Sequence, residues 1–220
     1  MISVLSQDYS NIEYIVIDGG STDGTTDVIR KYGEQISVFV SEPDNGIYDA
    51  MNKGVRKASG DWVCFMNSSD CFASTDVISA VFRKDISSKV NVIYGNVMND
   101  YGERIHIQKA YHLSVMKYRM PFCHQSVFAR KEVLVSHPFN LHFKYSADYN
   151  QFYSIYFEMG EETFLYHPET IAICDATDCV SRKNMFPMWM EYMEIRSAHK
   201  DLRWYWDSFK NMLKVFRGYK

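Results

Sequence analysis

Residues 13–33, EYIVIDGGSTDGTTDVIRKYG, carry the reading on which the rest of the fold depends. Glu13 to Asp18 is a short run rich in isoleucine and valine, which predicts a buried strand. Gly19 and Gly20 then permit a tight turn, the following Ser and Thr residues offer caps, a helix is expected from about Thr25, and Gly33 is its stop. A strand that runs through an acidic, glycine-containing loop into a helix is the unit of an α/β sheet. In such sheets ligands settle beyond the carboxyl ends of the strands.

Outward from that unit the same grammar repeats. A second strand is expected over Ile36 to Ser41 and opens the loop EPDNG. Ile47 to Ala58 carries apolar residues at helical spacing and ends near Gly60, so Trp62 to Met66 becomes a third strand running into NSSD. Downstream the pattern predicts a helix over Thr75 to Arg83, a strand over Val90 to Tyr94, a hairpin around Asn99 to Gly102, a strand over Gln125 to Ala129 and a helix over Ala147 to Met159. The expected class is α/β, a Rossmann-like, mainly parallel mixed sheet flanked by helices. Beyond Val180 the composition shifts to Met, Trp, Tyr, Lys and Arg at helical spacing, which predicts two further helices. Residues 1–180 are read as one domain and 181–220 as a C-terminal helical extension.

Composition limits the function classes. With 220 residues, 46% of them apolar, the chain can bury one substantial core but hardly two. A net charge of -3 offers no basic field for nucleic acid. Five cysteines, Cys64, Cys71, Cys123, Cys174 and Cys179, form no CxxC pair and no zinc spacing, which argues for a reducing cytoplasm. The start, MISVLSQDYSN, lacks the regions of a signal peptide, and no run of about 18 apolar residues occurs. From Arg196 to Lys220 seven Lys or Arg stand against two Asp, interleaved with aromatic residues. That segment reads either as a surface for the inner face of an anionic membrane or as a packing helix with a solvated basic face.

The loops after the three leading strands are acidic: Asp18 in IDGGSTDGT, Asp44 in EPDNG and Asp70 in NSSD. Asp and Gly also mark ordinary turns. Three carboxylates converging on a phosphate-bearing ligand, however, call for a divalent cation between them, and Mg²⁺ or Mn²⁺ takes oxygen ligands from carboxylates and substrate phosphates.

Taken in order, IDGGSTDGT and EPDNGIYDAMNKGVRKASGDWVCFMNSSD resemble the nucleotide-sugar-binding half of family 2 glycosyltransferases with the GT-A fold. The resemblance covers about residues 5 to 180 and is densest from Asp18 to Asp70. It implies an inverting, metal-dependent transferase that moves a sugar from a nucleoside diphosphate donor, a UDP-sugar, to a hydroxyl of a lipid-linked or polysaccharide acceptor in envelope biosynthesis. Residue by residue, it puts Asp18 near the donor's base, Asp44 on the loop bordering the nucleotide, Asn52 facing the same site, and Asp70 on the metal. Gly20 and Ser69 belong to the donor-binding set. Asp148, in YSADYN, matches the catalytic base, and its alternative reading is a helix cap. His124 and Gln125, in PFCHQSVF, match polar groups on the acceptor or diphosphate side, and Arg182 matches a group that offsets diphosphate charge.

Two departures stand out. Gly19 occupies the position of a second Asp, and Ser69 that of a carboxylate in the metal motif. The family also begins with a strand and helix of which ISVLSQDYSN resembles only the end. The resemblance therefore implies a missing N-terminal strand, exposed sheet edges, and a homodimer as one way to cover them. The alternative these departures raise is a catalytically degenerate nucleotide-sugar-binding or scaffolding protein.

Overall fold

The computed structural model describes residues 1–177 and 183–197. The elements run α1 (Ile2–Leu5), β1 (Ile15–Asp18), α2 (Thr25–Arg30), β2 (Val38–Ser41), α3 (Ile47–Lys57), β3 (Trp62–Val63), β4 (Cys71–Phe72) and α4 (Val77–Val81). There follow β5 (Val92–Asp100), β6 (Ile105–Gln108), β7 (Val127–Arg130), α5 (Lys131–Ser136), α6 (Ala147–Met159), β8 (Phe164–Asp175) and α7 (Met185–Arg196), with short 3₁₀ turns at Gly33–Gln35, Leu113–Lys117, His124–Ser126 and Glu161–Thr163.

The strands form two pieces. β1 and β2 make a parallel pair in which Asp18 lies opposite Ser41. The larger sheet has the order β3-β7-β5-β8-β4, with β6 hairpinned onto β5. Here β5 and β8 are parallel, while β3–β7, β4–β8, β5–β6 and β5–β7 are antiparallel. The α/β class holds, but antiparallel pairing is commoner than the leading units imply. The reason is local: β6 returns through a tight turn in which Tyr101 N–H donates to Arg104 O, and β7 enters from a 3₁₀ turn without a crossover helix.

Period-2 alternation sorts the core onto both faces of this sheet. Val92, Tyr94, Val127 and Ala129 face one way and pack with α3, α5, α6 and Met116. Ile93, Phe128 and Ile171 face the other way and pack with Phe72, α4 and Val4 of α1. α7 closes the first of these layers: Tyr192 stacks on Tyr149 at 4.3 Å between centroids, and Arg196, 2% exposed, donates to the backbone oxygens of Tyr192 and Tyr118.

Several boundaries differ from the sequence reading. The helix after Asp18 stops at Arg30, and Gly33 opens a 3₁₀ turn instead of closing the helix. Its N-cap is Gly24, which supplies no side-chain cap, and not Ser or Thr; the Asp23 carboxylate just before it accepts from Thr25 N–H and the Thr25 hydroxyl. The strand expected over Trp62 to Met66 keeps ladder pairing only at Trp62 and Val63, because the chain beyond must turn toward Asp70. Residues 125 and 126 are 3₁₀, so β7 begins at Val127. The expected helix over Ala147 to Met159 is present with those bounds. The second C-terminal helix and the basic aromatic segment lie, beyond Ser197, outside the described residues.

α3 joins the two sheet pieces. Met51 and Val55 are buried in the main core, while Gly54 lies against Ile17 of β1. Near the start of each strand, Glu13 accepts from Ser59 N–H (2.6 Å) and Gly60 N–H (3.2 Å), tying the approach to β1 to the approach to β3. Among the described residues β1 has β2 as its one ladder partner.

Candidate active site

Asp18 ends β1 as a buried carboxylate, and its partners come from its own turn and from β2. Oδ2 accepts from Gly20 N–H (3.2 Å), Ser21 N–H (3.0 Å) and the Ser41 hydroxyl (2.6 Å), while Oδ1 accepts from the Ser21 hydroxyl (2.5 Å). The Ser21 and then the Ser41 hydroxyl hold the carboxyl below the usual Asp range. Gly20 sits at φ +86°, a left-handed conformation that costs glycine nothing.

Asp44 comes to the same place. A Cβ at Gly19 would stand 2.6 Å from Asp44 Oδ2, so the bare Gly19 backbone is what lets this carboxylate lie against the Asp18 turn. Asp44 Oδ1 accepts from Gly46 N–H at 2.8 Å, and Lys53, one helical stretch on, donates to Pro43 O (3.0 Å) and pairs with Glu42 (2.9 Å). The hydrogen bond to Glu42 leads the effects that raise the Lys53 pKa.

A second cluster forms where the turn after β3 meets the 3₁₀ turn before β7. Asp70 Oδ2 accepts from Gln125 Nε2 (2.8 Å) and Oδ1 from Asp175 N–H (3.2 Å). Burial pushes the Asp70 carboxyl up, and the Gln125 hydrogen bond offsets this only in part. The turn that delivers it carries Ser69 at φ +71°, the one non-glycine residue with positive φ among those described. Asn67, in the same turn, contacts His124 Nε2 through its amide at 3.2 Å. The other side of that ring, Nδ1, faces Asp148 Oδ2 at 3.3 Å. Tyr48 of α3 donates its hydroxyl to Asp148 Oδ1 at 3.2 Å.

Asp148 and His124 keep 21% and 16% of their side chains exposed, so a small molecule can reach the pair. Burial alone would raise the Asp148 pKa, but the hydrogen bond and charge of His124 outweigh it and the net shift is downward. Burial would lower His124, and the Asp148 carboxylate reverses this to a net rise. At neutral pH Asp148 is an ionised carboxylate with one donor on each oxygen, the state in which a carboxylate can accept a proton.

The structure thus brings two hydrogen-bonded segments together, Asp70–Gln125 and Asn67–His124–Asp148, joined through the chain neighbours His124 and Gln125, and it brings Asp18, Gly20 and Asp44 into a separate cluster. α3 connects them, since it begins at the Asp44 loop and its second residue, Tyr48, reaches Asp148. Ser69 is exposed on the Asp70 turn. Asn52 is not brought to either cluster by its polar atoms. Its amide donates to Phe139 O and accepts from Phe139 N–H, both at 2.9 Å, which bolts the segment before α6 to α3. Arg182 lies outside the described residues. Among the described residues no three His, Cys, Asp or Glu side chains gather as a cation cage. Tyr48 and Lys53 were not among the expected site residues; on α3 Tyr48 stands one turn before Asn52 and Lys53 next to it, and only the fold reveals which way they reach.

The model of glycosyl transferase family 2 matches residues 2–152. A glycosyltransferase of PGL/p-HBAD biosynthesis from Mycobacterium bovis is 29% identical over 155 residues, which cover 67% of this chain and 59% of that protein. The chain therefore spans less than two thirds of that curated relative's length. Among solved structures, S. aureus TarS 1–349 in complex with UDP superposes with a TM-score of 0.68 at 16% identity, over 94% of this chain and 62% of that one. Glucosyl-3-phosphoglycerate synthase from Mycobacterium tuberculosis, in complex with Mn²⁺, UDP and glucosyl-3-phosphoglycerate, superposes at 0.60 with 17% identity, over 91% and 76%. At these identities the superpositions show a shared fold, the GT-A arrangement.

Proposed function

This chain belongs to glycosyl transferase family 2, and from that membership we propose that it transfers a sugar from a nucleoside diphosphate donor, a UDP-sugar, to an acceptor hydroxyl with inversion at the anomeric carbon. The observation that carries the reading is the pair of segments Asp70–Gln125 and Asn67–His124–Asp148, which meet at the chain neighbours His124 and Gln125 and so gather two carboxylates from distant parts of the sequence around one 3₁₀ turn.

Asp148 is the base in this account. It takes the proton of the acceptor hydroxyl as that oxygen forms its bond to the anomeric carbon, on the face opposite the departing diphosphate. The bond from the anomeric carbon to the diphosphate oxygen breaks with its electron pair, and UDP leaves. His124, whose ring faces Asp148, favours the ionised form of the base until the hydroxyl arrives. The Asp18 and Asp44 loops border the nucleotide, with the Gly20 backbone and Ser69 completing the donor's surroundings.

Asp70 is the residue that would hold a divalent cation, Mn²⁺ or Mg²⁺. Its fit rests on chemistry present in the site: a carboxylate whose protonation is favoured by burial gains from an adjacent cation, and such cations accept one carboxylate when phosphate and water supply the rest. When bound, the ion stabilises negative charge on the departing diphosphate. Residues 1–180 act as the catalytic domain and the helical extension as its accessory, with Arg182 and the basic segment beyond Arg196 available to diphosphate and to an anionic membrane respectively. A lipid-linked or polysaccharide acceptor at the cytoplasmic face of the membrane suits such a segment. No helix among the described residues is long and apolar enough to cross a membrane.

Two variants test the division of labour. Asp148→Asn is expected to lower sugar transfer by about 10²–10⁴-fold while leaving UDP affinity unchanged. Asp70→Ala is expected to weaken UDP binding in the presence of Mn²⁺. Transfer at the wild-type rate by Asp148→Asn would remove that residue from the mechanism.

A further inference from the structure

Among the described residues Tyr48 makes the one hydroxyl contact to the proposed base. Its ring stacks on Phe139 with centroids 5.3 Å apart and planes at 29°, and Phe139 is itself pinned to α3 by both polar atoms of Asn52. The hydroxyl therefore projects from a fixed platform, and 3.2 Å away lies Asp148 Oδ1. The carboxylate's other oxygen faces His124. A base gripped through both oxygens, from two different elements, has its direction set by the protein and not by solvent.

We propose that Tyr48 is a positioning residue for this reaction: its hydroxyl and the His124 imidazole each hold one oxygen of Asp148, fixing where that carboxylate points. The proposal rests on the reading of Asp148 as the base. It deepens that reading by making α3 a part of the catalytic apparatus as well as a border of the donor site. The titratable groups facing Asp148 are Tyr48 from α3, Cys123 and His124 at the 3₁₀ turn before β7 and Tyr192 from α7; those facing His124 are Asp148, Cys123 and Asp70. Of these, Tyr48 and His124 are the two that bond the carboxylate directly.

A hydrogen bond to the charged form of a carboxylate lowers its pKa. Taking the Tyr48 hydroxyl away raises it, so activity that falls as Asp148 becomes protonated is lost at a higher pH. The same change leaves more of the carboxylate's charge to His124, whose own titration moves up.

Tyr48→Phe keeps the ring and its stacking partner and deletes one oxygen. The assay is release of UDP from a UDP-sugar with Mn²⁺, water serving as acceptor, across pH, alongside the His124 proton resonances in an NMR titration. The expected result is a kcat lower by about tenfold, the scale of one charge-assisted hydrogen bond lost in the transition state. An unchanged donor KM, an acid limb moved to higher pH and a His124 titration displaced upward are expected with it. Asp148→Asn is measured in parallel. If Asp148→Asn is inactive and Tyr48→Phe keeps the wild-type kcat, acid limb and His124 titration, the role of Tyr48 is overturned and the base stands. If Asp148→Asn turns over like the wild type, the base falls and Tyr48 with it. An unmoved His124 titration in Tyr48→Phe counts against the proposal whatever the turnover.

Discussion

At the scale of single residues, the pair His124 and Asp148 couples chemistry to stability. The His124 pKa is raised above its ordinary 6.5 by the Asp148 carboxylate, so its share of the stability is fully present below about that pH and is lost as pH rises through the folded value. The Asp148 pKa is depressed below its ordinary 3.8, so its share is present above that value and is lost as pH falls through the folded one. The loss in melting temperature on His124→Gln should therefore be greatest between these limits and shrink on either side, as a melting series across pH would record. A constant difference at every pH would mean the two groups are not paired. Gly19 makes a different point at this scale. Where the family resemblance leads one to expect a second Asp, the missing side chain leaves the room that the Asp44 carboxylate takes. That neighbour stands 25 positions on, so no reading along the chain could reveal the proximity.

At the scale of elements, α3 is the part on which the site depends. It buries Met51 and Val55, begins at the Asp44 loop and turns Tyr48 toward Asp148. Asn52 was expected to face the donor and instead clamps Phe139. The sequence held no signal for this, because the partner is a backbone 87 residues away whose N–H and C=O would otherwise be buried unpaired. Asn52→Ala strands both groups and should lower the unfolding free energy by about 2–4 kcal/mol, measured by denaturant titration. A change under about 0.5 kcal/mol, the size of an ordinary surface substitution, would show that the clamp is incidental. The elements that periodicity found well are those whose own residues decide them: α3 and α6 bury apolar positions that the sequence displays, whereas β1, expected as a buried strand, keeps Ile15, Val16 and Ile17 half-buried and buries only Asp18. β8 was not foreseen, since Pro168, Glu169 and His167 interrupt its apolar run; it is a strand because β5 offers it a parallel partner over its length, with a bulge near Asn96 whose amide donates to Pro168 O.

At the scale of the whole molecule, the class of fold and the acidic loops were legible, because strand, loop and helix alternate visibly from Glu13 to Asp70. The gathering of Asp70 with Gln125, His124 and Asp148 came from family resemblance and not from spacing, since those residues are separated by 50 positions or more from the turn they join. The molecule assembles them by running the antiparallel strands β7 and β3 side by side, so that the 3₁₀ turn before one meets the turn after the other. In the proposed reaction Asp70 serves the nucleoside diphosphate and Asp148 the acceptor hydroxyl. The direct test is calorimetric titration of the chain with UDP, with and without Mn²⁺. The account predicts saturable binding that is strengthened by the ion and loses that strengthening in Asp70→Ala. Absence of UDP binding at millimolar concentration with Mn²⁺ present would contradict it.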